Sequence, residues 1–150
     1  MKIHYITGDA THPIGNGKKI IPHICNNIGA WGKGFVLAIS NRWNFPEKEY
    51  RNLKQYILGT VQFVPVEDDI IVANMIAQHG IKDSPTGQKP IRYHSLYTAL
   101  VTVNKFASNI NATLHIPRVG CGLAGGEWNE VERIIMKTIT VDVYVYDYSP

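Results

Sequence analysis

The sequence predicts an α/β fold in which helices cover a mixed sheet, and three observations carry that expectation. Short β-branched runs such as Ile70-Ile71-Val72-Ala73 alternate along the chain with segments whose apolar residues recur at helical spacing. Two glycine-rich turns each lead from a strand end into a helix-like run. At 150 residues and 45% hydrophobic, the chain is the size of one domain with a real core, spanning 1–150.

Each element has its own justification. Strands are expected at 2–6, 20–25, 60–66, 70–77, 112–116 and 140–146, and helices near 35–43, 46–56, 91–108 and 127–137. Phe35, Val36, Ile39 and Trp43 recur at helical spacing in the first helix. In the long helix Leu96, Leu100, Val103 and Ala107 do the same, with Pro90 near its start, where proline is tolerated. In the last strand Val141, Val143 and Val145 alternate with Asp142, Tyr144 and Tyr146, which reads as one buried and one less buried face. The stretch from Gly80 to Pro90 is polar and rich in glycine and proline, a surface loop that serves as a lid, a binding segment or a plain connection.

Composition narrows the function. The formal charge is +3, and no block of five or six like charges marks a nucleic-acid arm. No apolar run approaches the roughly 18 residues of a membrane span, and Met1-Lys2-Ile3-His4-Tyr5 passes directly into a strand pattern, so a cytoplasmic protein with no membrane partner is expected. Cys25 and Cys121 lack disulfide-like or zinc-like spacing and read as reduced thiols. Paired-histidine helices, CxxC pairs and nucleophile elbows are absent, so neither a catalytic metal nor a cofactor is expected.

The glycine-rich turns carry the chemistry. Pro117-Arg118-Val119-Gly120-Cys121-Gly122-Leu123-Ala124-Gly125-Gly126 joins a strand to a helix, where glycines admit close backbone approach and the helix start offers unpaired N–H groups to an anion. Its G-x-G-x-x-G spacing, with Asp142 about 20 residues on, matches a dinucleotide turn. A nicotinamide unit, however, places that turn after its first strand, and here only one helix and one strand remain. The second loop, from Asn26 to Phe35, lacks the Lys-Ser/Thr ending of a Walker A loop. Two such loops facing each other would grip a diphosphate from both sides.

Side chains around these loops supply candidate roles, each with a plainer alternative. Lys33 either gives charge to a phosphate or extends into water. Asn26 and Asn27 either hold a ribose hydroxyl or form a turn. Asp9, at a strand end where ligands of α/β proteins collect, either accepts an exocyclic amine or caps a turn. His79, ending the strand before the flexible segment, is the candidate acid-base group.

Taken together, Gly8-Asp9-Ala10, the loop from Asn26 to Phe35 and Pro117-Arg118-Val119-Gly120-Cys121-Gly122-Leu123 resemble, in order, the motifs of a macrodomain, the ADP-ribose-binding module. Trp31-Gly32-Lys33-Gly34 and Ile91-Arg92-Tyr93 look similar to the branch with terminal ADP-ribose glycohydrolase-like proteins and yeast-type ADP-ribose 1''-phosphate phosphatases. The resemblance implies a three-layer α/β/α sandwich with a central mixed sheet. It implies ADP-ribose or ADP-ribose 1''-phosphate as ligand, ADP-ribosylated macromolecules as further partners, and hydrolysis of a distal-ribose derivative or non-catalytic reading as the activity.

By that resemblance Asp9 recognises the adenine amine and Ala10 adds a backbone contact, while Asn26 approaches the distal ribose. The backbone of Gly32, Lys33, Gly34 and Phe35 encloses the diphosphate with that of Gly120, Cys121, Gly122, Leu123 and Ala124, and Tyr148 lies near the adenine or proximal ribose. The glycohydrolase branch uses a lysine on the strand before the long helix and an aspartate after Gly-Cys-Gly-Leu. Here the Gln78-His79 neighbourhood and Ala124 stand at those places, leaving His79, or a water held by Asn26, as the proton-transfer candidates.

Overall fold

A computed structural model describes residues 1–118 and 125–148. Ten elements follow in chain order: β1 (Ile3–Thr7), β2 (Lys19–Asn26), α1 (Phe35–Arg42), α2 (Phe45–Arg51), β3 (Val61–Glu67), β4 (Ile70–Gln78), α3 (Tyr93–Ile110), β5 (Thr113–Pro117), α4 (Trp128–Thr138) and β6 (Val143–Asp147). The six strands form one sheet in the order β1-β6-β5-β2-β4-β3. Every neighbouring pair is parallel except β3–β4, so the sheet is mixed, and β1, β6, β5, β2 and β4 all end at one edge.

The period-2 alternation of the strands sorts side chains between two cores. One face carries Ile20, Ala73, Met75, Leu114, Ile116, Val143 and Val145 beneath Leu96, Leu100 and Val103 of α3 and Val131 and Ile135 of α4. The other carries Ile21, Cys25, Val72 and Ile76 beneath Val36 and Ile39 of α1 and Tyr50 of α2. Helices on both faces of the sheet make a three-layer α/β/α sandwich.

Most element ends shift from expectation by a residue or two, and three of the departures have a local reason. Helix α2 stops at Arg51, because the chain turns at Asn52, whose N–H makes the last helical bond to Lys48 O. Helix α3 starts at Tyr93, two residues late, because Ile91 bridges Gln78 and Arg92 N–H bonds Ala77 O in an extended conformation. Strand β6 starts at Val143 because Asn104 captures the Thr140 N–H at 2.8 Å and holds the approach in a turn.

The sheet face is not covered evenly. Over β1, β6 and β5, opposite α3 and α4, the strands present His4, Tyr144, His115 and Tyr146, and the loop 8–18 lies against them through Ile14 N–H on Tyr146 Oη at 3.0 Å. Tyr146 is therefore 3% exposed, although strand alternation predicts it on the less buried face. Asp142, the acidic residue of the dinucleotide spacing, accepts the Lys2 N–H at the opposite edge of the sheet. It caps the start of β1 and has no part in a nucleotide site.

Candidate functional site

The crevice begins with a proline. Backbone groups of odd-numbered β2 residues face β4, as the Lys19 N–H bond to Asp69 O shows, and those of even-numbered residues face β5, as Lys18 O accepting from Thr113 shows. Pro22, which lacks an N–H, therefore removes a donor on the β5 side. The β2–β5 ladder is limited to Lys19↔Thr113 and Ile20↔Leu114. Beyond it the C-terminal ends of the strands are free to diverge, at the edge where α/β sheets bind ligands.

Along this edge lie two cavities. The first, about 340 Å³, is lined by Gly8, Asp9, Ala10, Gly34, Phe35, Ala38, Pro117, Tyr146 and Tyr148. Asp9, Ala10, Gly34, Phe35 and Tyr148, five residues singled out in the sequence, thus meet in one space within the size range of small-molecule sites. Tyr148 is 70% exposed and stands at its mouth as an open aromatic surface. Gly120, Cys121, Gly122, Leu123 and Ala124 lie outside the described residues.

Asp9 is held by its own turn. Its Oδ1 accepts the Thr11 N–H at 2.8 Å and the Thr11 hydroxyl at 2.7 Å, and Oδ2 lies 3.3 Å from His12 Nδ1. Burial alone would raise its pKa, but the Thr11 hydroxyl, the Thr11 N–H and His12 together lower it below the ordinary 3.8. The carboxylate is both turn-former and charged wall of the cavity. Arg42, at the end of α1, donates to Thr11 O and pairs with Glu67 at 3.0 Å, tying this turn to the helix opposite.

Helix α1 faces the cavity with an open start. Its N-cap is Gly34 at φ 82°, ψ −147°, a backbone region essentially confined to glycine, and among the described residues no side-chain hydrogen bond caps the helix and no acid stands in its first turn. The first N–H groups and the positive end of the helix dipole are thereby left for an anion. Gly32 and Lys33 are exposed in the preceding loop, and Lys33 makes no ion pair among the described residues.

The Asn26 side chain is turned into its own loop. It is 7% exposed, and its Oδ1 accepts from Ile28 N–H and Ala30 N–H at 3.0 Å and from the Tyr50 hydroxyl at 2.9 Å, while Nδ2 donates to Ala30 O at 2.7 Å. Its carboxamide is spent on shaping the loop. The outward asparagine is Asn27, whose Oδ1 accepts the Gly80 N–H and whose Nδ2 lies 2.9 Å from His79 Nδ1. Sequence spacing alone does not separate these two neighbours; strand alternation, which turns one in and the next out, is the signal that could have done so.

The second cavity, about 450 Å³, opens at the ends of β2 and β4, with Ile28 on one side and His79, Gly80, Ile81, Lys82, Ser84, Pro85 and Arg92 on the other. His79 is exposed here, beside the loop of residues 80–90. That loop is braced by Lys89–Asp83 at 2.9 Å and by Ser84–Gln88 hydrogen bonds. Gln78, at the strand end, donates to Gly80 O at 2.9 Å. Among the described residues no group of three His, Cys, Asp or Glu side chains could hold a metal, and no helix is long and apolar enough to cross a membrane.

No family model matches the sequence. A macrodomain protein from Streptomyces coelicolor is 46% identical, with 99% of this chain and 100% of that chain covered and a TM-score of 0.86. This chain belongs to the macrodomain family. A Bacteroides thetaiotaomicron protein of unknown function shares the macrodomain's structure at 51% identity, covering 97% of this chain and 98% of the other, with a TM-score of 0.91. Among curated proteins, the zebrafish (Danio rerio) chromodomain-helicase-DNA-binding protein 1-like is 32% identical over 90% of this chain. The macrodomain spans 14% of that protein's length and 18% of its mouse counterpart's. An ADP-ribose 1''-phosphate phosphatase from Lodderomyces elongisporus is 26% identical, covering 97% of this chain and 98% of that protein.

Proposed function

We propose that this macrodomain binds ADP-ribose, or a derivative carrying a group on the distal ribose, along the C-terminal edge of the sheet, and that it hydrolyses such a derivative. The observation that carries the reading is the meeting of Asp9, Ala10, Gly34, Phe35 and Tyr148 in one cavity under the uncapped start of α1. Asp9 would accept the adenine amine, with Ala10 adding a backbone contact and Tyr148 the aromatic surface. The N–H groups from Gly32 to Phe35 would take one side of the diphosphate and the backbone of Gly120 to Ala124 the other. The first cavity opens at the ends of β1, β6 and β5 and the second at the ends of β2 and β4, so a ligand that reached both would be elongated, as two sugars joined by a pyrophosphate are.

The distal ribose then points at Asn27 and His79, and whatever it carries enters the second cavity. An ADP-ribose 1''-phosphate would bring its phosphate beside Lys82 and Arg92, with His79 as proton carrier. Similarity to the yeast phosphatase supports this hydrolytic version. A second reading, a non-catalytic reader of ADP-ribosylated macromolecules, is favoured by two committed carboxamides: Gln78, in the neighbourhood where the glycohydrolase branch has its lysine, donates to Gly80 O, and Asn26 is spent on its own loop.

Calorimetry with ADP-ribose, ADP and AMP tests the binding half. Affinity should rise from AMP to ADP to ADP-ribose, and equal affinity for all three would remove the distal end from the site. Phosphate release from ADP-ribose 1''-phosphate separates enzyme from reader.

A further inference from the structure

The half-face of the sheet under loop 8–18 holds a ladder of rings that the ligand-binding residues do not account for. His4 stacks on Tyr144 at 4.7 Å, Tyr144 on His115 at 5.0 Å, and His115 leans on Tyr146 at 5.7 Å. His115 is fully buried. Its Nδ1 lies 2.7 Å from Tyr146 Oη, its Nε2 lies 2.8 Å from Thr113 Oγ1, and Tyr146 Oη accepts the Ile14 N–H at 3.0 Å.

The direction of this chain follows from counting donors. The Ile14 N–H can only donate, so it occupies a lone pair on Tyr146. If His115 carried its proton on Nδ1, the buried Tyr146 hydroxyl would have no acceptor among the described residues, which is costly at 3% exposure. With the proton on Nε2, Tyr146 donates to Nδ1 and His115 donates to the hydroxyl of Thr113, a half-buried residue near the surface. Burial first, and the charge of Lys19 second, lower the His115 pKa to about 4, so the ring stays neutral and able to accept.

Tyr146 is at the same time a wall of the first cavity, and the loop it holds begins with the Asp9 turn. We propose that His115, acting through the Tyr146 hydroxyl, is the positioning residue that holds loop 8–18, and with it the Asp9 carboxylate, over the nucleoside end of the cleft. The proposal rests on reading the first cavity as the nucleoside site. Arg42 on Thr11 O and Lys19 on Gly17 O pin the loop as well, and backbone bonds of Gly8 N–H to Asp147 O and of Thr113 N–H to Lys18 O fix its two ends, so the Ile14 bond lies among several tethers. Its acceptor belongs to Tyr146, a residue that also lines the first cavity.

The test pairs amide exchange with binding in Tyr146→Phe, which keeps the ring and removes only the hydroxyl, and in His115→Leu, which keeps the hydroxyl and removes its acceptor. Exchange of the Ile14 amide should quicken about ten-fold or more in both, while core amides such as Leu100 keep their relative protection. AMP and ADP-ribose should both weaken about ten-fold, since the loss falls on the end they share. In the wild-type protein, nitrogen spectroscopy should find His115 protonated on Nε2 and bare on Nδ1. An Ile14 amide indifferent to His115→Leu, or the opposite tautomer, would overturn the positioning role whatever the ligand does. Wild-type protein that binds neither AMP nor ADP-ribose would instead overturn the nucleoside reading, which the exchange measurement does not depend on.

Discussion

The Tyr50 hydroxyl lies 2.6 Å from Asn26 O and 2.9 Å from Asn26 Oδ1, so one phenol on α2 holds both the backbone and the side chain at the end of β2. Tyr50 is itself fully buried between Trp31 at 5.3 Å and Tyr56 at 5.0 Å. Helix α2 thus sets the shape of the loop that leads into α1, without touching either cavity.

Tyr50→Phe should therefore act at a distance. Losing the hydroxyl leaves Asn26 short of a buried partner and should cost about 1–2 kcal/mol of stability. ADP-ribose affinity should also fall several-fold, because the 27–34 loop loses its anchor. Urea denaturation and calorimetry check the two; unchanged affinity in the destabilised variant would mean that the loop holds its shape without Tyr50.

Asp9 predicts a pH profile. Its folded pKa is lowered, so any stability or affinity contributed by the ionised carboxylate is complete above the ordinary carboxylate range and is lost as pH falls through the lowered value. AMP affinity should be flat on Asp9's account from pH 8 to pH 5. Asp9→Asn, which keeps an acceptor but loses the charge, should weaken AMP at pH 7 and level the profile at low pH. A profile with the same acid limb in Asp9→Asn would assign that limb to another group.

Two buried histidines predict acid sensitivity of the fold. His23, wholly buried with Nε2 on Asn74 Oδ1 and Nδ1 without a partner among the described residues, is lowered to about 4 by burial, and His115 likewise. Unfolded, both return to about 6.5, so between pH 6.5 and 4 the unfolded chain binds up to two more protons and stability falls as pH drops, by up to about 2.7 kcal/mol per pH unit from this pair. Denaturant midpoints at pH 7 and pH 5 should differ accordingly. Histidines that titrate in the native state above pH 6 would contradict the burial.

Gly125 has φ 73°, and a Cβ built there would stand 2.8 Å from Lys89 Cδ, where the loop of residues 80–90 meets the approach to α4. Gly125→Ala should cost about 1 kcal/mol or more, part from the backbone and part from the lysine stem. Adding Lys89→Ala should recover only the steric part. Full recovery in the double variant would show that the positive φ carries no cost here.

His79→Ala tests the proton carrier of the hydrolytic reading. If His79 is the proton carrier, release of phosphate from ADP-ribose 1''-phosphate should drop at least 100-fold with ADP-ribose affinity little changed. Undiminished release would dismiss it.

The sheet and its helices were readable because periodicity is local: alternating valines in β6 and the Leu96–Leu100–Val103–Ala107 stripe of α3 state their buried faces without reference to anything distant. Element ends were less readable, since Asn104 on Thr140 and Ile91 on Gln78 are long-range captures that no local pattern encodes. The same division runs through the site. Asp9 and Gly34 announce themselves by turn chemistry at a strand end and a helix start, and the chain alone determined that a glycine-bearing loop would lead from the end of β2 into α1. Only the tertiary structure decided that Asn26 turns inward while Asn27 faces out, that Pro22 ends the ladder on the cleft side, and that Tyr146 is buried as a wall. Each of those depends on which strand lies beside which, a matter of contacts far apart in the chain, where hydrogen-bond partners and exposure are settled.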